Sequence, residues 1–326
     1  MDSYRAPRWL PGGHLQTLHA ALLIPRPEVA YRRERWSTPD GDFIDLDWSE
    51  GDGAAQSRPL VVMFHGLEGS SRSHYALALM AALRARGLRG VVVHFRGCSG
   101  EPNRLSRAYH SGDAQEIDWI LRRLRSGNAG DPLYAVGVSL GGNALLKWLG
   151  ESGEAAVGVI DAAAAVSAPL DLMAAGDALG TGFSLVYARN FLRTLKAKSL
   201  AKLDRFPGLF NADAVRAAGT LREFDDLVTA PLHGFRDTDD YWTRASSKPG
   251  LTSIRVRALV INAKNDPFLP AAALPRPEEV SSAVTLEQPD EGGHVGFVGG
   301  AFPGDLNWLP TRVLEFFHTR KASGKQ

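Results

Sequence analysis

An α/β fold with a mainly parallel central sheet, helices on both faces and an inserted helical cap is predicted by three features of the sequence. Apolar runs of strand length alternate with helical patterns over most of the chain. One of those runs, "LYAVGV", ends at Ser139 between Gly137 and Gly141 and passes at once into the helical "GGNALLKWLG", a turn with little room for side chains. Between about Pro169 and Gly250 the strand runs stop and amphipathic helical segments replace them.

The N-terminal stretch "MDSYRAPRWLPGGHLQTLHAALLIPRP" has two early arginines and a short apolar patch, but Pro-Gly-Gly-His interrupts the continuous apolar core a signal peptide needs. No stretch approaches the roughly 18–20 apolar residues of a membrane span, so a soluble, cytoplasmic protein is expected. Runs around Arg32 to Thr38 and Phe43 to Ser49, separated by the turn signal "PDGD", predict a leading antiparallel hairpin. "LVVMFH", "VVVHF", "LYAVGV", "VGVIDAAAAVSA", "RALVINA" and "AVTLEQ" follow as strands, with helices over His74 to Arg86 and Ala114 to Arg125. The spacing suits right-handed crossovers in a parallel sheet. Residues 1–326 read as a single domain with a cap insertion over 170–250. "VLEFFHTRK" reads as a final helix, and "KASGKQ" as a frayed tail.

Several functions are disfavoured by composition. The chain has 326 residues, 37 basic and 36 acidic, for a net charge of +1, which supplies no field to hold a polyanion; nucleic acid is not an expected partner. The single cysteine, Cys98, precludes an internal disulfide and fits a reducing compartment. "GLRGVVVHFRGCSG" lacks the G-x-G-x-x-G spacing of a dinucleotide site, and the histidines show no H-E-x-x-H or other metal-ligand pattern. No cofactor and no metal are expected.

G-x-S-x-G between a strand and a helix is the pattern that thrusts a serine above a sheet as a nucleophile. Serine is a weak nucleophile at neutral pH, so it needs a histidine base within hydrogen-bond reach and a carboxylate to hold that base's tautomer. Downstream of Ser139, His294 lies in the Gly-rich loop "QPDEGGHVGF" after the last strand run, whereas His318 sits in the final helix and His233 in the cap. His294 is the expected base. Asp266, in "INAKNDPFLP" at the end of the preceding strand, is the expected acid; Asp290 reads as a turn residue, and Asp161 and Asp171 are weaker rivals. The oxyanion donors are expected at the backbone N–H groups of Leu140, after the nucleophile, and Leu67, in the loop "FHGLEGSS".

His65 is expected to shape that loop and, with His233, Phe183 and Tyr187, to contact substrate. Phe183, Tyr187, Phe191 and Leu195 recur at helical spacing beside Arg189, Arg193, Lys196 and Lys198, a basic amphipathic pattern that suits burial on the domain and also a transient contact with a membrane surface. Cys98 reads as a small loop or core residue.

"RWLPGGHLQTL", "FHGLEGSS", "HFRGCSGEPNR", "YHSGD", "GVSLGGN", "SAPLDL", "REFDDLVTAPLHGF", "DYWTRASS", "INAKNDPFLP" and "GGHVGF" together resemble the α/β-hydrolase superfamily, and within it the YheT-like branch, over nearly the whole chain. The resemblance implies the α/β-hydrolase fold and a serine hydrolase of carboxylic esters, with relatives among esterases, lipases and phospholipases. By matching motif it implies the triad Ser139, Asp266 and His294. The expected substrate is a small-molecule or lipid ester with a short to medium acyl chain. The same triad also serves amide, thioester or lactone hydrolysis and acyl transfer, and a ligand-binding protein with little turnover could share the fold.

Overall fold

A computed structural model of the chain describes residues 3–49 and 58–319; the tail "KASGKQ" lies outside the described residues. The strands are β1 (Arg32–Ser37), β2 (Phe43–Ser49), β3 (Leu60–Phe64), β4 (Arg89–His94), β5 (Leu133–Val138), β6 (Ala162–Val166), β7 (Ala258–Ile261) and β8 (Val284–Glu287). They form one sheet in the order β1-β2-β4-β3-β5-β6-β7-β8. β2 is antiparallel to both β1 and β4, and every other pair is parallel. The predicted hairpin therefore forms one edge, and the crossovers build the rest.

Strands β3 to β6 read as unbroken apolar runs because both faces of the sheet are covered. On one face Leu60, Val62, Val91 and Val93 pack against Ile117, Ile120, Leu121 and Leu124 and against Leu145, Trp148 and Leu149. Their helices are α3 (Ala114–Ser126) and α4 (Leu140–Ser152). On the other face Val61, Met63, Val92 and Val136 meet Met80 and Leu83 of α2 (His74–Ala85) and Leu314 and Phe317 of the C-terminal helix Trp308–His318. In α3 the buried residues fall at i, i+3, i+4 and i+7, and the Asp113 side chain caps its start by accepting the Glu116 N–H. Truncating any of these fully buried leucines to alanine would cost about 2–5 kcal/mol.

Three features depart from the sequence reading. The segment after Pro-Gly-Gly, read only as a break, is a helix, α1 (Gly13–Leu22). The residues between β6 and β7 form a series of helices and connecting loops without a strand, with α5 (Leu172–Leu179) and the long α6 (Leu185–Leu203) leading. Phe183 sits in a 3-10 turn before α6 rather than on it. A single turn of π-helix at Asp225–Thr229 was not legible in the sequence.

Candidate active site

The site begins at the end of β5. Ser139 has φ 53° and ψ −123°, a strained conformation for a residue with a side chain. It is held by its N–H bond to Val166 O at 2.9 Å and by the N–H of Asn143, which bonds to Ser139 O at 3.0 Å. The flanking glycines are obligatory: a Cβ on Gly137 would lie 2.4 Å from Gly141 O, and one on Gly141 would lie 2.4 Å from Phe64 O. A turn this tight lifts the serine hydroxyl clear of the sheet.

The loops after β7 and β8 bring the other two residues to it. His294 Nε2 lies 3.0 Å from Ser139 Oγ, and His294 Nδ1 lies 2.9 Å from Asp266 Oδ2 and 3.2 Å from Oδ1. With the Asp266 carboxylate accepting the Nδ1 proton, Nε2 is left with a lone pair toward the serine hydroxyl. The Asp266 side chain is wholly buried and also accepts the Phe268 N–H at 2.8 Å. The Phe268 ring stacks on the His294 imidazole at 3.8 Å between centroids. Asp290 instead pairs with Lys264 on the surface, Asp161 with Arg125, and Asp171 caps α5.

Helix α1 grips both loops. Gln16, fully buried, accepts the Asn265 side-chain amide at 3.0 Å and the Gly292 N–H at 2.9 Å through Oε1, and donates to Leu10 O at 3.0 Å. Thr17 Oγ1 accepts the His294 N–H at 2.8 Å and donates to Gly13 O at 2.7 Å. Gly293 has φ 58°, and a Cβ there would lie 2.5 Å from Gly13 O, so only glycine lets the base loop sit against the helix. Asn265, next to Asp266, and Gly292, two residues before His294, thus share one glutamine.

The loop after β3 faces the serine. Leu67 and Leu140 both line the cavity beside Ser139 and His294. The N–H groups flanking Leu67 are held by two phenol oxygens, Gly66 N–H to Tyr75 Oη and Glu68 N–H to Tyr109 Oη, each at 2.9 Å. Glu68 is itself anchored to the cap by Lys198 Nζ at 2.8 Å. A second tether runs from Lys202 Nζ to Asn103 Oδ1 at 2.7 Å, in the loop that follows β4. Burial lowers the Lys202 ammonium to about 8.

The cavity has a volume of about 120 Å³ and runs from Ser139 under the cap. Its walls are mainly apolar, with Leu172, Leu179, Phe191, Leu195, Phe224 and Trp242 among them, and its polar lining includes Asp225 and Thr229. Asp225 accepts hydrogen bonds from Trp242 Nε1 at 2.8 Å and Thr229 Oγ1 at 2.6 Å, and burial pushes its carboxyl up to about 6.

The sequence model of the alpha/beta hydrolase fold matches residues 59–301. The chain belongs to the α/β-hydrolase superfamily. It is 43% identical over 308 residues to the Escherichia coli protein named "Putative esterase YheT", covering 94% of this chain and 90% of that one, which places it in the YheT-like branch. It is 30% identical over 332 residues to human phospholipase ABHD3, covering all of this chain and 81% of the relative. The Pyrococcus furiosus esterase Pf2001 shares the fold, with a TM-score of 0.56 at 17% identity over 89% of this chain and 92% of that one.

Within this YheT-like frame the four expected substrate contacts fare differently. His65 is fully buried and absent from the cavity wall; its Nδ1 donates to Gly66 O at 2.7 Å and its Nε2 accepts the Phe95 N–H at 3.2 Å. It therefore packs beneath the loop and away from the cavity wall, and burial lowers its imidazole to about 3. His233 stands behind the wall, 4.4 Å from the ring of His110, which does line the cavity. Phe183 is half exposed and packs edge-on against His14. Tyr187 lines the outer mouth of the site, where its hydroxyl meets His14 Nδ1 at 3.1 Å. Cys98 beside Lys198 has its thiol pushed up to about 11 by burial, which keeps it protonated and unreactive at neutral pH.

Proposed function

We propose that this α/β-hydrolase cleaves carboxylic esters through an acyl-serine intermediate, with Ser139 as nucleophile, His294 as base and Asp266 as the group that orients and stabilises the imidazolium. The observation that carries the reading is the unbroken chain Ser139 Oγ to His294 Nε2 to Asp266, opening on an apolar cavity. As Ser139 Oγ attacks the ester carbonyl, His294 Nε2 takes its proton. The carbonyl oxygen becomes an oxyanion facing the Leu67 and Leu140 N–H groups, which strengthen as donors when charge develops. Collapse of the intermediate breaks the acyl–oxygen bond, and His294 returns the proton to the departing alkoxide. Water, deprotonated by the same nitrogen, then releases the acid and restores Ser139.

The chain is an ester hydrolase of the esterase and lipase type. The cavity wall suits a short to medium acyl chain of a small-molecule or lipid ester, because it offers apolar side chains from α5, α6 and Phe224 to Trp242 along its length. A cytoplasmic setting agrees with the free Cys98 thiol; among the described residues no helix is long and apolar enough to cross a membrane.

The test is turnover of p-nitrophenyl esters of graded acyl length by wild type and Ser139→Ala, with fluorophosphonate labelling of both. Turnover reduced by about 10⁴-fold or more, together with loss of labelling in the variant, is expected. A wild type that neither labels nor turns over any ester overturns the reading.

A further inference from the structure

The open mouth of the site is bounded by two helices that leave large apolar side chains in solvent. On α1, Leu15 is 54% exposed and Leu22 70%, one face apart by seven residues, and Leu23 beside them is 67% exposed. Across the mouth, Phe183 in the turn before α6 and Val186 in its first turn are about half exposed. Leu22 and Val186 line the opening that leads to Ser139 and His294. Single exposed leucines are ordinary on a soluble protein, but a set shared by the two segments that bound one opening, with Leu22 and Val186 lining it, marks a surface with a partner.

The charges around the lips specify that partner. Arg26 and Arg72 line the same opening and are exposed, and Arg189 and Arg193 project from α6 within two turns of Val186. Among the described residues the only carboxylate lining the opening is Glu68, which Lys198 already neutralises. An apolar lip set in arginines is complementary to a bilayer with anionic headgroups, into which the leucines dip while the guanidinium groups pair with phosphate.

We propose that this rim docks the enzyme on anionic lipid bilayers and so presents the mouth of the site to the layer that holds its lipid-ester substrate. The inference deepens the ester-hydrolase reading and rests on it for the delivery step only. The basic segment of α6 was one source of such contact in the sequence; α1 supplies the apolar half.

Flotation with vesicles of phosphatidylcholine, with and without phosphatidylglycerol, tests it, using Ser139→Ala so that binding is read without turnover. Binding to the phosphatidylglycerol vesicles is expected to exceed binding to pure phosphatidylcholine about tenfold, and to fall about tenfold in Leu15→Gln/Leu23→Gln and in Arg189→Gln/Arg193→Gln. In the otherwise wild-type chain, both double variants should keep turnover of a water-soluble acetate ester within about twofold, which also reports that they fold. No flotation, or flotation unchanged in both variants, overturns the proposal. So does a concentration-dependent dimer that the leucine variant abolishes, since the patch would then be covered by a second copy. Vesicle binding without turnover of any ester would leave this surface standing and sink the hydrolase reading instead.

Discussion

Thr17 Oγ1 receives the backbone N–H of His294 at 2.8 Å across 277 positions of sequence, and so joins an N-terminal helix to the base of the site. The neighbouring Gln16 does the same for the acid loop through Asn265. Both residues precede the 59–301 span matched by the superfamily's sequence model, so the alignment of acid and base depends on a segment outside it. A histidine that must reach a hydroxyl at 3.0 Å tolerates little drift, since misplacement of about 1 Å can cost on the order of 10²-fold in rate. Thr17→Val should lower kcat by about 10- to 100-fold with KM little changed, and Thr17→Ser should restore it. Steady-state kinetics with a short-chain ester checks this; a variant that changes stability and leaves kcat alone would contradict the positioning role.

Asp266 and Asp290 are the two aspartates between β7 and His294, and geometry separates them. Asp266 is buried against Nδ1, whereas Asp290 pairs with Lys264 in solvent. Asp266→Asn should keep the fold and drop kcat by about 10⁴-fold, because an amide can hold the wrong tautomer. Asp290→Asn should leave kcat within about twofold. The reverse ranking would move the acid to Asp290.

The residues proposed for the chemistry were more legible in the sequence than those that support them. Ser139, Asp266 and His294 could be singled out because each follows an apolar run, directly or in the loop beyond it, and the order serine, acid, base narrows the choice. The strands were legible for the same reason: β3 to β6 are buried on both faces and so carry apolar runs at their centres. Gln16 and Thr17 carried no such signal. Their partners lie some 250 residues away, and a polar pair on a short helix looks like any solvated face until the loops are seen to fold over it. His65 misled toward a substrate contact because a histidine beside an oxyanion loop reads as functional, while its enclosure by β4 and the loop depends on packing that periodicity does not report. The π-helical turn at Asp225 is equally silent, since it differs from an α-helix only in its hydrogen-bond register.

Ser139 trades stability for position. Its φ of 53° is costly for a side chain, by about 1–3 kcal/mol, and glycine would remove the cost. Ser139→Gly should therefore be inactive yet more stable than wild type by about 1 kcal/mol in urea denaturation. Ser139→Ala keeps the Cβ and should gain little. Equal stability of all three proteins would mean that the elbow stores no strain.

Asp225 makes the cavity sensitive to pH. Burial raises its carboxyl to about 6, so between the ordinary aspartate value near 4 and about 6 the folded state binds more protons than the unfolded state. Stability from this group is full below that window and is lost as pH rises through it. Ionisation also places a charge on the wall of an apolar cavity, where it opposes entry of a hydrocarbon chain. Above pH 6 the KM for an ester with a medium acyl chain should rise, while that for an acetate ester, too short to reach the wall, should not. Asp225→Asn retains a group that can accept from Trp242 or Thr229 but cannot ionise, so it should flatten both the KM rise and this part of the fall in stability. Urea denaturation and KM measured at pH 5 and pH 8 on the two proteins, with both ester lengths, test the two effects together; a KM rise that survives in Asp225→Asn would assign the titration to another group.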